Sequence, residues 1–451
     1  MQRSPTWRWR PSVPVVSILS LVALSACGKG SGSSATTAAA ASACDTTLTL
    51  PTGFCATIFA DSLGHPRHIA VAANGDVYVN TSPGRGTTKE SGGVFVALRD
   101  TNHDGHADVI TRFGPDASGA KVGGTGIAVY NGYVYAENGA DIVRYKLNPA
   151  SLAPDTTAEV VLSDMPTEHG HTMHPFIIDT AGTLYVDMGS ATNSCQVKDR
   201  TLQSPGHQPC TELVDRAGIW KFDAKQTGQK TNAKARFATG LRNSEGYAIN
   251  PADGKFYATQ HGRDQLGENW PKHYNDTASA ELPAEELVAV TQGGDYGWPY
   301  CYFDGQQGKL VLAPEYGGDG KKVGLCSSKR APVGWYPAHW APDDLLFYSG
   351  SLFPARYHGG AFIAFHGSWN RAPLPQGGYN VTFVPWSDHP DSTHETFADG
   401  FAGANKQPDK ADHRPTGLAQ GPDGAMYITD DQNGRVWKVT YKAAATGDNK
   451  S

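Results

Sequence analysis

One pattern recurs along this chain and narrows the folds open to it: an apolar strand, a turn holding Asn, Asp or Gly, and a second strand carrying Tyr. It runs through residues 69–78, 127–135, 176–185, 247–257 and 418–427, with a degenerate sixth copy split between 344–347 and 361–364. Each unit alternates apolar and polar residues around a Gly-containing turn, the signature of a β-hairpin. A lone hairpin cannot bury both faces, so repeats of this size stack into a closed ring of blades. Six copies predict an all-β, six-bladed β-propeller over residues 45–441. The 52 Gly, 29 Pro and 19 Tyr suit many turns and short strands. No long stretch carries apolar residues at helical spacing, which leaves stacked β-sandwiches as the main alternative.

The ends read differently. Arg3, Arg8 and Arg10 precede an apolar run over residues 13–24, too short for an ordinary membrane span, and residues 1–26 are expected to be a signal peptide. Leu24-Ser25-Ala26-Cys27 resembles a bacterial lipobox, with Cys27 as the lipid acceptor; a plain signal cut near Ala26 is the alternative. Acyl chains would hold the protein on a bilayer at about 0.8 kcal/mol per buried methylene. Gly28 is not the Asp associated with inner-membrane retention, so the expected place is the outer membrane, facing the periplasm. Residues 27–44 form a Gly/Ser/Ala-rich tether, and 442–451 an unstructured tail.

With Cys27 lipidated, Cys44, Cys55, Cys195, Cys210, Cys301 and Cys326 remain, an even set in a chain bound for an oxidising compartment. Local pairing favours Cys44–Cys55, Cys195–Cys210 and Cys301–Cys326; cross-pairs such as Cys55 with Cys326 stay open. The net charge of −6 comes without a Lys/Arg cluster, which excludes a nucleic-acid partner.

Unusual polar residues fall at matching places in the repeats. His65, Arg67, His68, His171, Arg242, Asn243, His413 and Arg414 stand just before first strands, and residues 260–265 and 366–371 follow second strands. In a propeller such loops converge on one mouth. His171 before its strand, GLRNSEG at 240–246, HGRDQL at 261–266, GGDYGWPYC at 293–301, HGSWNR at 366–371 and HRPTGLAQGPDG at 413–424 together resemble the glucose/sorbosone dehydrogenase family. The resemblance covers nearly all of residues 51–441, and the long segment 267–283 is similar to the sorbosone and pyranose dehydrogenase branch.

That resemblance implies a sugar dehydrogenase using pyrroloquinoline quinone and calcium. Matched motif by motif, Arg242 and Asn243 would reach the quinone oxygens, while Arg371 and Arg414 would pair with its carboxylates. His171 would be the general base, and the main-chain carbonyls of Gly262 and Arg263 would bind the catalytic calcium. His169 and His174 compete for the base role, and Met173-His174-Pro175 departs from the Thr-Arg-Thr of the branch. Arginine forks suit carboxylates, and a neutral imidazole suits proton abstraction near neutral pH.

A second calcium site follows from the residues themselves. Asp100, Asn102, Asp104 and Asp108 occupy positions 1, 3, 5 and 9 of a calcium-type loop with Gly105 at 6, although Thr111 replaces the Glu of position 12. Two other readings compete with the dehydrogenase: a calcium-dependent lactonase or esterase propeller, and a non-catalytic propeller that binds glycan or protein. The hydrolase would need carboxylates converging from several blades, whereas these loops offer Arg and His. No CxxCH haem motif occurs, so a separate electron acceptor, a cytochrome or the quinone pool, is expected.

Metabolic labelling with palmitate checks the lipobox reading: wild type should carry label and sediment with membranes, and Cys27→Ser should lose both.

Overall fold

The computed structural model describes residues 43–82, 93–116, 123–148, 150–391 and 393–443. The signal-peptide and Cys27 expectations lie outside these residues. Six antiparallel four-stranded sheets form a six-bladed β-propeller, and each sequence repeat is the first hairpin of one blade. Blade one is Pro66–Val71, Val77–Thr81, Gly93–Arg99 and Val109–Asp116. Blade two is Ile127–Tyr130, Tyr133–Asn138, Asp141–Lys146 and Glu159–Ser163, with the short Gln229–Lys230 added in parallel at its edge. Blade three is Phe176–Ile178, Thr183–Met188, Gly218–Asp223 and Arg236–Thr239. Blade four is Tyr247–Ile249, Phe256–Gln260, Glu285–Val290 and Gly334–Tyr336. Blade five is Pro342–Phe347, Ala361–Phe365, Asn380–Val384 and Glu395–Ala398.

Blade six takes three strands from the C-terminal end, Pro415–Gln420, Met426–Asp430 and Val436–Tyr441, and its outermost strand, Phe54–Ala60, from the N-terminal side. That pairing runs from Phe54 against Tyr441 to Ala60 against Val436, and it closes the ring. First strands of successive blades lie side by side around the axis.

The repeated Tyr has a packing reason. Tyr78, Tyr135, Tyr257 and Tyr427 each face an Ala across the hairpin, at Ala70, Ala128, Ala248 and Ala419. Each ring fills the cleft between its own blade and the next. In blade five Phe362 takes this place, so the copy looked degenerate in sequence while keeping the shape. Alternation does the rest: Ala361, Ile363 and Phe365 pack toward blade four, and Phe362 and Ala364 toward blade six. The core is therefore six inter-blade clusters arranged in a ring.

Blade four carries the largest elaboration. Two short helices, Leu266–Asn269 and Asp276–Glu281, follow its second strand, and Asn275 caps the latter by accepting from the Ala278 amide at 2.8 Å. A hairpin, Cys301–Asp304 with Lys309–Leu312, follows its third. The disulfides are Cys44–Cys55, Cys195–Cys210 and Cys301–Cys326, the local set. Among the described residues no helix is long and apolar enough to cross a membrane.

Phe362 is fully buried and meets Phe383 and Phe397 at ring distances of 5.0 and 4.8 Å. Phe362→Ala should lower the unfolding free energy by about 3–5 kcal/mol, read from the denaturant midpoint at an unchanged slope.

Candidate active site

The hairpin ladder of blade four extends past its strands, where the His261 amide donates to the Asn243 carbonyl at 2.9 Å. This sets residues 242–243 against 261–264. Arg242 is buried and held on all sides: Nε donates to Asn193 O at 3.1 Å, Nη1 to Gly262 O at 3.1 Å, and Nη2 to Asn193 Oδ1 and Asp264 Oδ2, both at 3.0 Å. Four of its five N–H donors are thus engaged. Burial alone would raise the Asp264 carboxyl, yet Arg242 and then Arg200 hold it well below the usual carboxylate range. Asn370 joins from blade five, donating to Asp264 Oδ1 at 2.7 Å.

Asn193 sits on the blade-three loop that the Cys195–Cys210 disulfide staples, and Trp298 of the GGDYGWPYC string packs on that disulfide while donating to Asn193 O at 3.1 Å. Glu212 lies beside both sulfurs, but they are consumed in the disulfide, and its carboxylate instead accepts from Ala191 N, Thr192 N and Thr192 Oγ1. The ordered loop presents Ser190, whose carbonyl lies 2.9 Å from His171 Nδ1. A carbonyl only accepts, so Nδ1 carries the proton and Nε2 keeps its lone pair. Burial, and then the Arg242 charge, push the His171 pKa well below its ordinary value. His171 is therefore a neutral imidazole beside a fixed cation. Its competitors are placed otherwise: His169 is exposed, and His174 is buried, with its amide donating to Glu137 and Nδ1 to Asp187 O. Met173 accepts from Thr125 Oγ1 at Sδ.

An axial charge cluster lies among the same loops. Buried Arg67 of blade one is 2.8 Å from Asp431 of blade six and 3.1 Å from Asp343 of blade five. His366 Nε2 reaches Asp431 at 2.7 Å, and His261 Nε2 reaches Asp343 at 3.3 Å. Burial opposes charge on His261, but the hydrogen bond and charge of Asp343 raise it to about 9. Asp343 and Asp431 are held low despite burial, first by His366 and then by Arg67. Sequence reasoning missed these acids, although Asp343 opens a first strand and Asp431 follows a second one.

Arg414 stands over the Tyr379 ring at 5.5 Å and donates to the His366 and Gly367 carbonyls at 3.1 and 2.8 Å, within this group. Arg371 does not join it. Its Nη1 donates to Ala280 O and Ala338 O at 3.0 and 2.7 Å, and the side chain lines a cavity on the outer side of blades four and five. Asn370, its neighbour, is the residue of that string that reaches the mouth. The Arg263 side chain also turns away, gripping Glu315 with two contacts of 2.6 Å, so only its carbonyl is a candidate ligand.

The Asp100–Asp108 loop lies apart, between the third and fourth strands of blade one. Asp100 accepts from the Asp104 and Gly105 amides, Asn102 from Asp104, and Asp108 from Thr101 and Asn102. Gly105, at φ 93°, makes the left-handed turn this inward curl requires. The loop is tied to the closing strand, where Ala107 N donates to Phe59 O and Thr57 Oγ1 to Gly105 O.

With six blades and this mouth in place, residues 48–442 match the TrAA12-like family. The chain belongs to that family. A pyrroloquinoline quinone-dependent sugar dehydrogenase of Hypocrea jecorina (strain QM6a) is 24% identical over 336 residues, 71% of this chain and 74% of that one. A pyrroloquinoline quinone-dependent pyranose dehydrogenase of Coprinopsis cinerea is 29% identical over 174 residues, 32% of this chain and 22% of that protein. An uncharacterized protein of Borreliella burgdorferi is 30% identical over 220 residues, so that the match spans half of its length. Among solved structures, the calcium structure of the Trichoderma reesei family AA12 enzyme superposes with a TM-score of 0.70 at 20% identity, covering 88% of this chain and 97% of that one. The holo pyranose dehydrogenase domain of Coprinopsis cinerea gives 0.67 at 20% identity, covering 87% and 97%. At these identities the superpositions establish the fold, and the family match upholds the glucose/sorbosone-type resemblance.

Carbon-13 histidine spectra should show His171 titrating below pH 6.5, with its titration moving upward in Arg242→Met as the neighbouring charge is removed.

Proposed function

We propose that this protein oxidises an aldose, pyranose or sorbosone-like sugar, using pyrroloquinoline quinone and calcium. The observation that carries this reading is the neutral His171, its Nδ1 proton fixed on Ser190 and its pKa held down by burial and by the charge of the immobilised Arg242. The donor set suits both groups. Arg242, Asn243 and Arg414 would hold the anionic quinone. The Gly262 carbonyl has a second lone pair, and the Asn243 amide oxygen is buried without a hydrogen-bond partner, as an oxygen-seeking cation would require. Bound there, the quinone supplies the hydride acceptor and calcium the Lewis acid that polarises it.

The chain's own residues do the rest. His171 Nε2 accepts the proton of the sugar hydroxyl as the carbon gives up its hydride. Arg242, already locked by Asn193, Gly262 and Asp264, faces developing negative charge without reorganising. Carboxylates from several blades do converge here, which favours a hydrolytic metal site as a second reading. Those nearest the proposed quinone site, however, are matched by cations: Asp264 by Arg242, and Asp343 and Asp431 by Arg67. In the same proposal the Asp100–Asp108 loop takes a second calcium that braces the closing strand. A lipid at Cys27 anchors the protein to the outer membrane, and a separate carrier removes electrons.

The apoprotein should reduce an artificial dye with sugars only when quinone and calcium are both added. His171→Ala should lower turnover by at least ~100-fold while quinone binding persists, and His169→Ala should leave turnover unchanged. Turnover with NAD alone, or none across a broad sugar panel, would refute the reading.

A further inference from the structure

A cavity of about 880 Å³ opens away from the mouth. It lies between the outermost strand of blade four, Gly334–Tyr336, the loop after Asn380–Val384 of blade five, and the blade-four elaboration. Pockets of ~300–1,000 Å³ enclose whole drug-sized ligands, more than a single sugar ring fills. We propose that this cavity is an accessory carbohydrate site that holds a neutral oligosaccharide beside the mouth. This rests on the sugar-oxidising reading and narrows its substrate class.

Four observations converge. Trp335 is 45% exposed in the cavity, yet its ring is braced at 5.1 Å against buried Phe303, so it stands as a fixed platform. A concavity lined by aromatic rings with a few polar groups has the character of a small-molecule site, and indole faces suit the C–H faces of pyranose rings. Tyr336 and Trp386 line the same space.

The polar groups around it are planar and already oriented. Gln306 Nε2 donates to Glu281 Oε2 at 2.7 Å, Arg371 is pinned by two carbonyls, and the His394 ring stands edge-on to Tyr336 at 5.2 Å. Between them these groups offer donors, and Gln306 and His394 acceptors as well, to match sugar hydroxyls.

Charge points the same way. Arg371 donates to the Pro375, Ala280 and Ala338 carbonyls, and Glu281 lines the cavity with it, so the lining carries both signs of charge.

The cavity lies against the outer wall of the mouth. Asn370 bonds Asp264 at the mouth, and the next residue, Arg371, lines the cavity. Ala338 likewise lines the cavity, one residue from buried His339, whose Nε2 lies 2.9 Å from Ser279 O. The two spaces share one wall.

The test uses the full chain without cofactor, titrated with cellotetraose, maltotetraose, xylotetraose and chitotetraose, with binding read by calorimetry and tryptophan fluorescence. At least one tetraose should bind, its parent monosaccharide should not, and Trp335→Ala should weaken binding by about tenfold, the scale of one aromatic stacking contact. Trp335→Phe should restore most of it, which separates lost stacking from a damaged fold. In loaded enzyme Trp335→Ala should raise KM for that tetraose and leave monosaccharide turnover unchanged. No binding by any tetraose, equal binding by wild type and Trp335→Ala, or binding only of acidic oligosaccharides or a protein partner would overturn the proposal. A chain that binds tetraose through Trp335 but oxidises no sugar would leave this site standing and remove the dehydrogenase reading instead.

Discussion

Everything in this molecule depends on one pairing between strands almost four hundred residues apart. Phe54–Ala60 completes the sheet begun by Val436–Tyr441, and until it does, blade six lacks its outer strand and blades six and one share no filled cleft. The aromatic residues at this junction show how tightly it is made: Phe54 stands edge-on to Phe353, Tyr357 and Phe397 within 5.3 Å. The Cys44–Cys55 bridge ties the strand to the segment before it, and Trp437 Nε1 donates to Asp45 at 2.8 Å. Such long-range contacts are entropically late to form, so the mouth comes into being only when the ring does.

Closure also explains the charges on the axis. A buried ion is tolerable only with partners, and the partners of Arg67 come from blades five and six. The cluster is consequently correct only in the closed ring. It also keeps His261, Asp343 and His366 in one arrangement directly beside Asn243 and Arg414, so the residues of the mouth are oriented before any ligand arrives.

The first hairpins were legible in sequence because period-two alternation and a Tyr opposite a small residue are local signals. The outer strands were not. Arg236–Thr239, Gly334–Tyr336 and Glu395–Ala398 are three or four residues long, and register shifts interrupt two of those pairings. At the mouth, Arg242 and His171 were legible through their strings, and the structure places them in each other's field. Arg371 was not, because Asn370 and Arg371 look to opposite sides of one wall and a motif gives order without direction. Asp264, Asp343 and Asp431 escaped notice because acids beside turns usually serve the turn, and their cationic partners lie 22 to 364 positions away.

The loop stapled by Cys195–Cys210 reaches both reactive groups of the mouth. Ser190 on this loop sets the tautomer of His171, and Asn193 holds Arg242 at two atoms. One four-residue stretch thus orients the proton-accepting group and the fixed cation together, and the covalent bridge begins two residues beyond it.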